Sequence, residues 1–135
     1  MIEFSFKRVK SPKFGEILKP IIPVTIIGPR RKVNTFMILD SGADISMIPY
    51  SVGETIGLEL DMTTRSEVQG IGEGSVPYVL GHVKFRIENL EIPARISWAL
   101  IEEVPFILGR LDVFQELAVE FREFENKILF KKPTE

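Results

Sequence analysis

The sequence contains no cysteine. That absence excludes a disulfide framework, a thiolate zinc site and cysteine-nucleophile chemistry together. It fits a reducing compartment, so a cytoplasmic location is expected. Histidine occurs once, as His82. A Ser-His-Asp system would have to use it, and no nucleophile-elbow pattern accompanies it. Beside Gly81 on an apparent strand it reads as a surface residue and not as a catalyst. Basic excess is missing as well: the net charge is -2, which leaves no electrostatic footprint for nucleic acid. Long hydrophobic runs are also lacking. The longest, around Pro20 to Gly28, is interrupted by Pro23 and Thr25 and is far too short to span a bilayer. Met1 to Lys10 alternates apolar and polar residues, unlike the continuous apolar stretch of a signal peptide. No membrane partner is expected. There is no Asn-x-Ser/Thr sequon and no metal-ligand spacing, so neither a metal nor another cofactor is expected.

What is present reads as a single domain, residues 1–135, with 44% apolar residues and ten phenylalanines to build a core. Most of it patterns as short strands. Ile2, Phe4 and Phe6 alternate with polar neighbours, and Ile21 to Ile27 is β-branched and apolar until Gly28-Pro29 ends it. Arg30, Arg31 and Lys32 then read as a solvated turn. Thr35 to Leu39 is a continuous apolar strand, expected to be buried on both faces. Pro49 to Ile56 predicts a short helix stopped by Gly57. Ser66 to Gly70 and Ser75 to Leu80 flank a glycine-rich turn as a hairpin, and His82 to Ile87 pairs with Glu91 to Trp98. Glu102-Glu103 reads as an exposed loop. Phe106 to Leu108 is a second buried strand, followed by a short helix near Leu111 to Glu116. Leu117 to Phe121 and Lys127 to Phe130 form a last hairpin, and Lys131 to Glu135 a frayed tail. The segments Phe36 to Gly42 and Pro105 to Arg110 echo one another, each an apolar strand ending at a sharp turn.

Leu39-Asp40-Ser41-Gly42-Ala43-Asp44 carries the chemistry. A carboxylate at the end of a buried strand is costly unless it is hydrogen-bonded or functional. Gly42 removes the side chain where the backbone must bend or approach something closely. A strand-to-turn junction with Asp40 and Ser41 as local caps is the plain alternative. Asp40 and Asp44 in one tight loop do not make the opposed carboxylates of a glycosidase. The run Gly70-x-Gly72-x-Gly74 is no nucleotide-binding loop, because a strand follows it and not a helix.

The segment resembles the active-site signature of aspartic proteases, apolar-apolar-Asp-Thr/Ser-Gly-Ala, and with Asp44 it resembles the retropepsins in particular. Three further features fall in that family's order. Ile48-Pro49 leads into a short helix. Gly70-Ile71-Gly72-Glu73-Gly74 stands where the family has its flap. Ile107-Leu108-Gly109-Arg110 resembles the apolar-apolar-Gly element beneath the active-site loop. The resemblance spans roughly Pro20 to Phe121. Glu73 and Ser75 make the flap turn more polar than in the viral enzymes, and the chain ends lack clear counterparts.

The resemblance implies an all-β acid-protease fold, a closed β-barrel lobe with one or two short helices. It implies a homodimeric aspartic endopeptidase acting on peptide or protein substrates, with Asp40 from each subunit sharing one proton in a pair. Ser41, Gly42 and Ala43 would complete the active-site loop. Asp44, Ile45, Ile71, Gly72, Ile107, Gly109 and Arg110 would bind substrate or support the loop, with Arg110 paired to Asp44. The runner-up is a catalytically silent dimeric module of the same fold that binds peptides or serves assembly. A small β-barrel interaction domain with a coincidental motif is the third reading.

Overall fold

The computed structural model describes residues 1–69 and 74–133. After the short strand β1 (Ile2–Phe4), an antiparallel hairpin is formed by β2 (Lys7–Ser11) and β3 (Gly15–Lys19). The body follows as β4 (Ile21–Ile27), β5 (Lys32–Leu39), β6 (Ser46–Ile48), helix α1 (Tyr50–Ile56), β7 (Ser66–Gln69), β8 (Ser75–Ile87), β9 (Leu90–Ala99) and β10 (Ile107–Leu108). The chain finishes with β11 (Ala118–Arg122) and β12 (Lys127–Lys131). Strands β4, β5, β10, β6, β9 and β8 pair in that order, and β8 returns to β4. The sheet thus closes on itself, which leaves no free edge in the barrel. The fold is therefore the all-β closed barrel that the sequence implies.

Alternation explains why the barrel has an inside. Along β8, Val79, Val83, Phe85 and Ile87 are buried while Leu80, His82 and Lys84 are exposed. The period of two puts every second residue on the core face. In β9 the alternation gives way after Ile96, and Ser97, Trp98 and Ala99 are all buried. There β6 pairs in parallel with β9, and α1 lies over Trp98, whose Nε1–H donates to Tyr50 O (2.9 Å). Glu102 lies in the expected exposed loop, and from there it accepts the Ser51 N–H (3.1 Å) at the start of α1. An acceptor there satisfies one of the helix's open amides.

Four expectations are corrected. Strand β5 is not buried on both faces, because Phe36 is 53% exposed and Asn34 is exposed too. The two segments expected over Ser75 to Leu80 and His82 to Ile87 are one unbroken strand, β8, shared by β7 and β9. No regular helix follows β10. Leu111 is extended and Asp112 has φ 65°, so Arg110–Phe114 is a kinked turn. The tail is shorter than expected, since Lys131 belongs to β12 and β1 pairs with that strand, Ile2 opposite Phe130. The chain's two ends therefore share one three-stranded sheet, in the order β1-β12-β11. Among the described residues no helix is long and apolar enough to cross a membrane.

The packing of α1 yields a test. Gly→Ala inside a helix normally stabilises by about 1 kcal/mol. At Gly53 the added methyl would collide with the indole of Trp98. Gly53→Ala is therefore expected to destabilise, by about 1–3 kcal/mol as overpacking does, read as a lowered midpoint in a denaturant melt. A raised midpoint would show that the indole moves freely.

Candidate active site

The two echoing segments lie side by side. Strands β5 and β10 run parallel with Ile38 opposite Ile107 and Leu39 opposite Leu108. Asp40 and Gly109 are thus the next residues of two neighbouring strands. Strand β10 is held on its other side by β6, Ile107 opposite Met47.

Asp40 is half-buried at the point where β5 ends. Its own N–H donates to Leu108 O (3.0 Å), and its carbonyl accepts from Ala43 N–H (3.1 Å). The Gly42 N–H donates to Asp40 Oδ1 (2.9 Å). A Cβ at Gly42 would lie 3.2 Å from that oxygen, so a side chain would crowd the carboxylate. Asp40, Gly42 and Ala43 therefore form one tight turn in which the carboxylate is fixed by the chain itself. Ser41 and Asp44 are exposed, and Ala43 and Ile45 are half-buried.

Beneath this turn three successive amides act as a ladder. Gly109 N–H donates to Ser46 Oγ (2.9 Å) in a buried bond, Arg110 N–H to Ala43 O (2.9 Å) and Leu111 N–H to Asp44 O (2.9 Å). Gly109 is forced by contact, not by its dihedrals. A Cβ there would sit 2.6 Å from the Ile45 carbonyl carbon and 2.7 Å from its oxygen. Ile107 is half-buried on the strand that carries this support.

The ion pair expected between Arg110 and Asp44 is absent from the structure. Both residues are exposed, and the two segments are joined through main-chain bonds instead. For exposed groups the Coulomb gain barely exceeds the cost of fixing the side chains. The charge contact of this region is between Arg95 and Asp112. Asp112 accepts the Arg95 N–H (2.9 Å), Nε–H (2.9 Å) and Nη2–H (3.0 Å). These bonds, side chain first and main-chain amide second, outweigh the cost of burial and hold the Asp112 carboxyl down to about 2. They tie the kinked turn to β9 and so brace the ladder from outside.

Ile71 and Gly72 lie outside the described residues, so the expected flap turn is not placed. The strands that lead to it do pair, Gln69 opposite Ser75. His82 is exposed, in keeping with its surface reading. No group of His, Asp and Glu among the described residues is arranged to hold a metal ion.

Sequence reasoning missed Ser46, Ser97, Arg95 and Asp112. Ser46 and Ser97 are the two buried polar residues among the described ones, and Ser97 Oγ–H donates to Ser46 O (2.8 Å). The available signal was a serine inside the apolar run Ile45-Ser46-Met47-Ile48, since a buried hydroxyl must find a partner. Nothing in the sequence marks Arg95 for Asp112, because that pair depends on the left-handed turn at Asp112.

No family model matches the sequence, and no curated protein matches it. Solved structures do match. The EIAV protease complexed with the inhibitor HBY-793 is 24% identical over 79% of this chain and 92% of its own, with a TM-score of 0.51. The retroviral protease-like domain of Ddi1 from Leishmania major is 18% identical over 84% and 89%, TM-score 0.58. A retropepsin-like aspartic protease from Rickettsia conorii is 12% identical over 96% and 99%, TM-score 0.59. The chain has the retropepsin-like fold.

Two measurements test the ladder and its brace. Ser46→Ala leaves the buried Gly109 N–H without an acceptor, which costs about 1–3 kcal/mol; a melt equal to the parent's would remove Ser46 from the support. For Asp112 the folded pKa is depressed from 3.8 to about 2. Its stabilisation is then complete above about pH 4 and is lost as pH falls through 2. The melting difference between the parent and Asp112→Asn should hold constant from pH 7 to about 4 and shrink below it. Arg110→Ala, which breaks no ion pair among the described residues, should melt with the parent throughout. A gap for Asp112→Asn that persists undiminished at pH 2 would contradict the assignment.

Proposed function

We propose that the chain is one half of an aspartic endopeptidase, completed by a second copy. One observation carries this reading: the Asp40 carboxylate is locked by the Gly42 amide at the end of β5, beside Gly109 on the neighbouring parallel strand. The Asp-Ser-Gly triplet occurs once, and the echoing strand ends in glycine. A single chain has one such carboxylate, whereas the chemistry needs two roles. One carboxylate takes a proton from water, which attacks the peptide carbonyl. Its protonated partner donates to the developing tetrahedral oxygen. Two carboxyls held this close share one proton, because both cannot ionise. A two-fold axis between two Asp40 turns is the simplest closed arrangement.

In this reading Ser41 from each chain bonds near the axis and stiffens the turns. The β7–β8 hairpin covers an extended peptide. Ile45 and Ile107 contribute apolar walls, and the exposed Asp44 and Arg110 contact the peptide or the partner. The similarity to proteases, one of them bound to an inhibitor, supports the reading at the level of fold.

Asp40→Asn keeps the shape of the side chain and removes the charge that activates water. It is expected to lower peptide hydrolysis by at least a thousandfold, on the order of what an essential general base supplies, with an unchanged melt. Mixing excess Asp40→Asn chains into the parent should suppress cleavage as mixed dimers form. Undiminished turnover by the purified variant would remove the catalytic assignment, and a parent that binds peptides without cleaving them would be a peptide-binding module.

A further inference from the structure

The β2–β3 hairpin stands outside the barrel as a two-stranded sheet whose outer edges pair with no other strand among the described residues. It carries Lys7, Arg8, Lys10, Lys13 and Lys19 against a single carboxylate, Glu16, which Arg8 already engages (3.3 Å). Lys7 lies directly opposite Lys19, a like-charge pairing that destabilises a hairpin on its own. Lys7 Nζ rests 4.2 Å from the centre of the Phe36 ring, and among the described residues no carboxylate reaches Lys10, Lys13 or Lys19. At the turn, Phe14 is 72% exposed beside Lys13. An open-edged, basic hairpin with a bare aromatic tip is incomplete as it stands.

The hairpin leaves the barrel at the Asp40 end. Its last strand runs into Pro20, whose carbonyl accepts the Leu39 N–H (2.8 Å), one residue before Asp40. At its other root, Phe6 packs on Phe121 and its N–H donates to Asn126 Oδ1 (3.0 Å). Next to that root is the corner joining β11 to β12, where Phe124 is 89% exposed. Around it Glu3, Glu120 and Glu125 share two cations, Arg122 and Lys127, while the fourth carboxylate, Glu123, engages neither. The root is therefore acidic and aromatic, and the tip basic and aromatic. Five strand residues, roughly 17 Å of extended chain, separate the tip from its own root.

We infer that the β2–β3 hairpin is a dimerisation arm whose Lys10-Lys13-Phe14 tip docks on the Glu123-Phe124 corner of a second copy. Across a two-fold axis two such hairpins run alongside each other in opposite directions, and each tip meets the other's root. The surface is self-complementary, as an isologous contact requires. Each chain supplies both charges and both rings, and the free strand edges gain a neighbour. This inference rests on the proposed pairing of two Asp40 turns, and names the surface that brings them together.

The test is the dimer dissociation constant by sedimentation on the full chain, which does not depend on cleavage. Lys13→Glu and Glu123→Lys should each weaken the dimer about tenfold or more, since like charges then face each other. The two changes in one chain should restore it. Phe14→Ser should weaken it comparably, and monomer melts should not change. A parent dimer indifferent to all of these, or single variants that the double does not rescue, would overturn the arm and leave the Asp40 chemistry standing. A responsive dimer that cleaves no peptide would keep the arm and remove the protease. A parent that stays monomeric would overturn both. Binding of the parent, but not Phe14→Ser, to phosphatidylserine vesicles with an unperturbed dimer constant would assign the tip to a membrane surface and overturn the arm.

Discussion

Three consecutive amides, of Gly109, Arg110 and Leu111, donate to Ser46, Ala43 and Asp44, and the geometry around Asp40 follows from them. A backbone amide in the interior must have an acceptor. Here the acceptors lie on the very loop that needs support, so satisfying β10 and shaping the Asp40 turn are one event. The ladder requires close approach, which excludes any side chain at Gly109. It requires a hydroxyl acceptor inside the barrel, which accounts for Ser46, and Ser97 then anchors Ser46 in turn. It also requires the chain to turn sharply after Leu111. The left-handed Asp112 does this, and the conformation, uncommon for a residue other than glycine, is held by Arg95. A contact on the outer surface of the barrel thus reaches the carboxylate through two layers of main-chain bonds.

In the proposed function, the same ladder accounts for one chain supplying half of the site. The parallel partner of the strand that ends in Asp40 ends in Gly109, and that position is occupied by the approach of Ile45. No second carboxylate could be placed there without breaking the support. A half-buried carboxylate with one amide donor is stable as a turn element. Acting on a peptide demands a second group of different protonation at close range, and a second copy is the source that symmetry offers most simply.

What the sequence disclosed and what it concealed divide along physical lines. Local patterns were legible: the pairing of His82 to Ile87 with Glu91 to Trp98, the Gly57 stop of α1, and the Asp-Ser-Gly turn at the end of β5. So was the echo between Phe36 to Gly42 and Pro105 to Arg110, which became two adjacent parallel strands. Features that depend on distant partners were not. Phe36 sits in an apolar run yet stays exposed, because the hairpin lays Lys7 on its ring instead of burying it. Arg110 and Asp44 have the residue types of an ion pair and the wrong surroundings for one. Asp112 gave no sign of its left-handed turn, and the pairing of β1 with β12 joins residues more than a hundred positions apart.

That last pairing bears on how an assembly of this chain would be controlled. Because β12 pairs with both β1 and β11 within one chain, the central strand of that sheet is satisfied without a partner, and only the outer edges of β1 and β11 stay open. In the proposed dimer, the free energy of association must come from what the single chain leaves open. Open features among the described residues include the edges and charges of the β2–β3 hairpin, the exposed rings of Phe14 and Phe124, and the lone Asp40 turn. Contacts between exposed charges are screened within about 10 Å at ordinary ionic strength. An interface built on them is weaker and more sensitive to salt than a shared sheet. Under the proposed pairing of two Asp40 turns, such a chain would fold as one half and be completed only at concentrations where the halves meet.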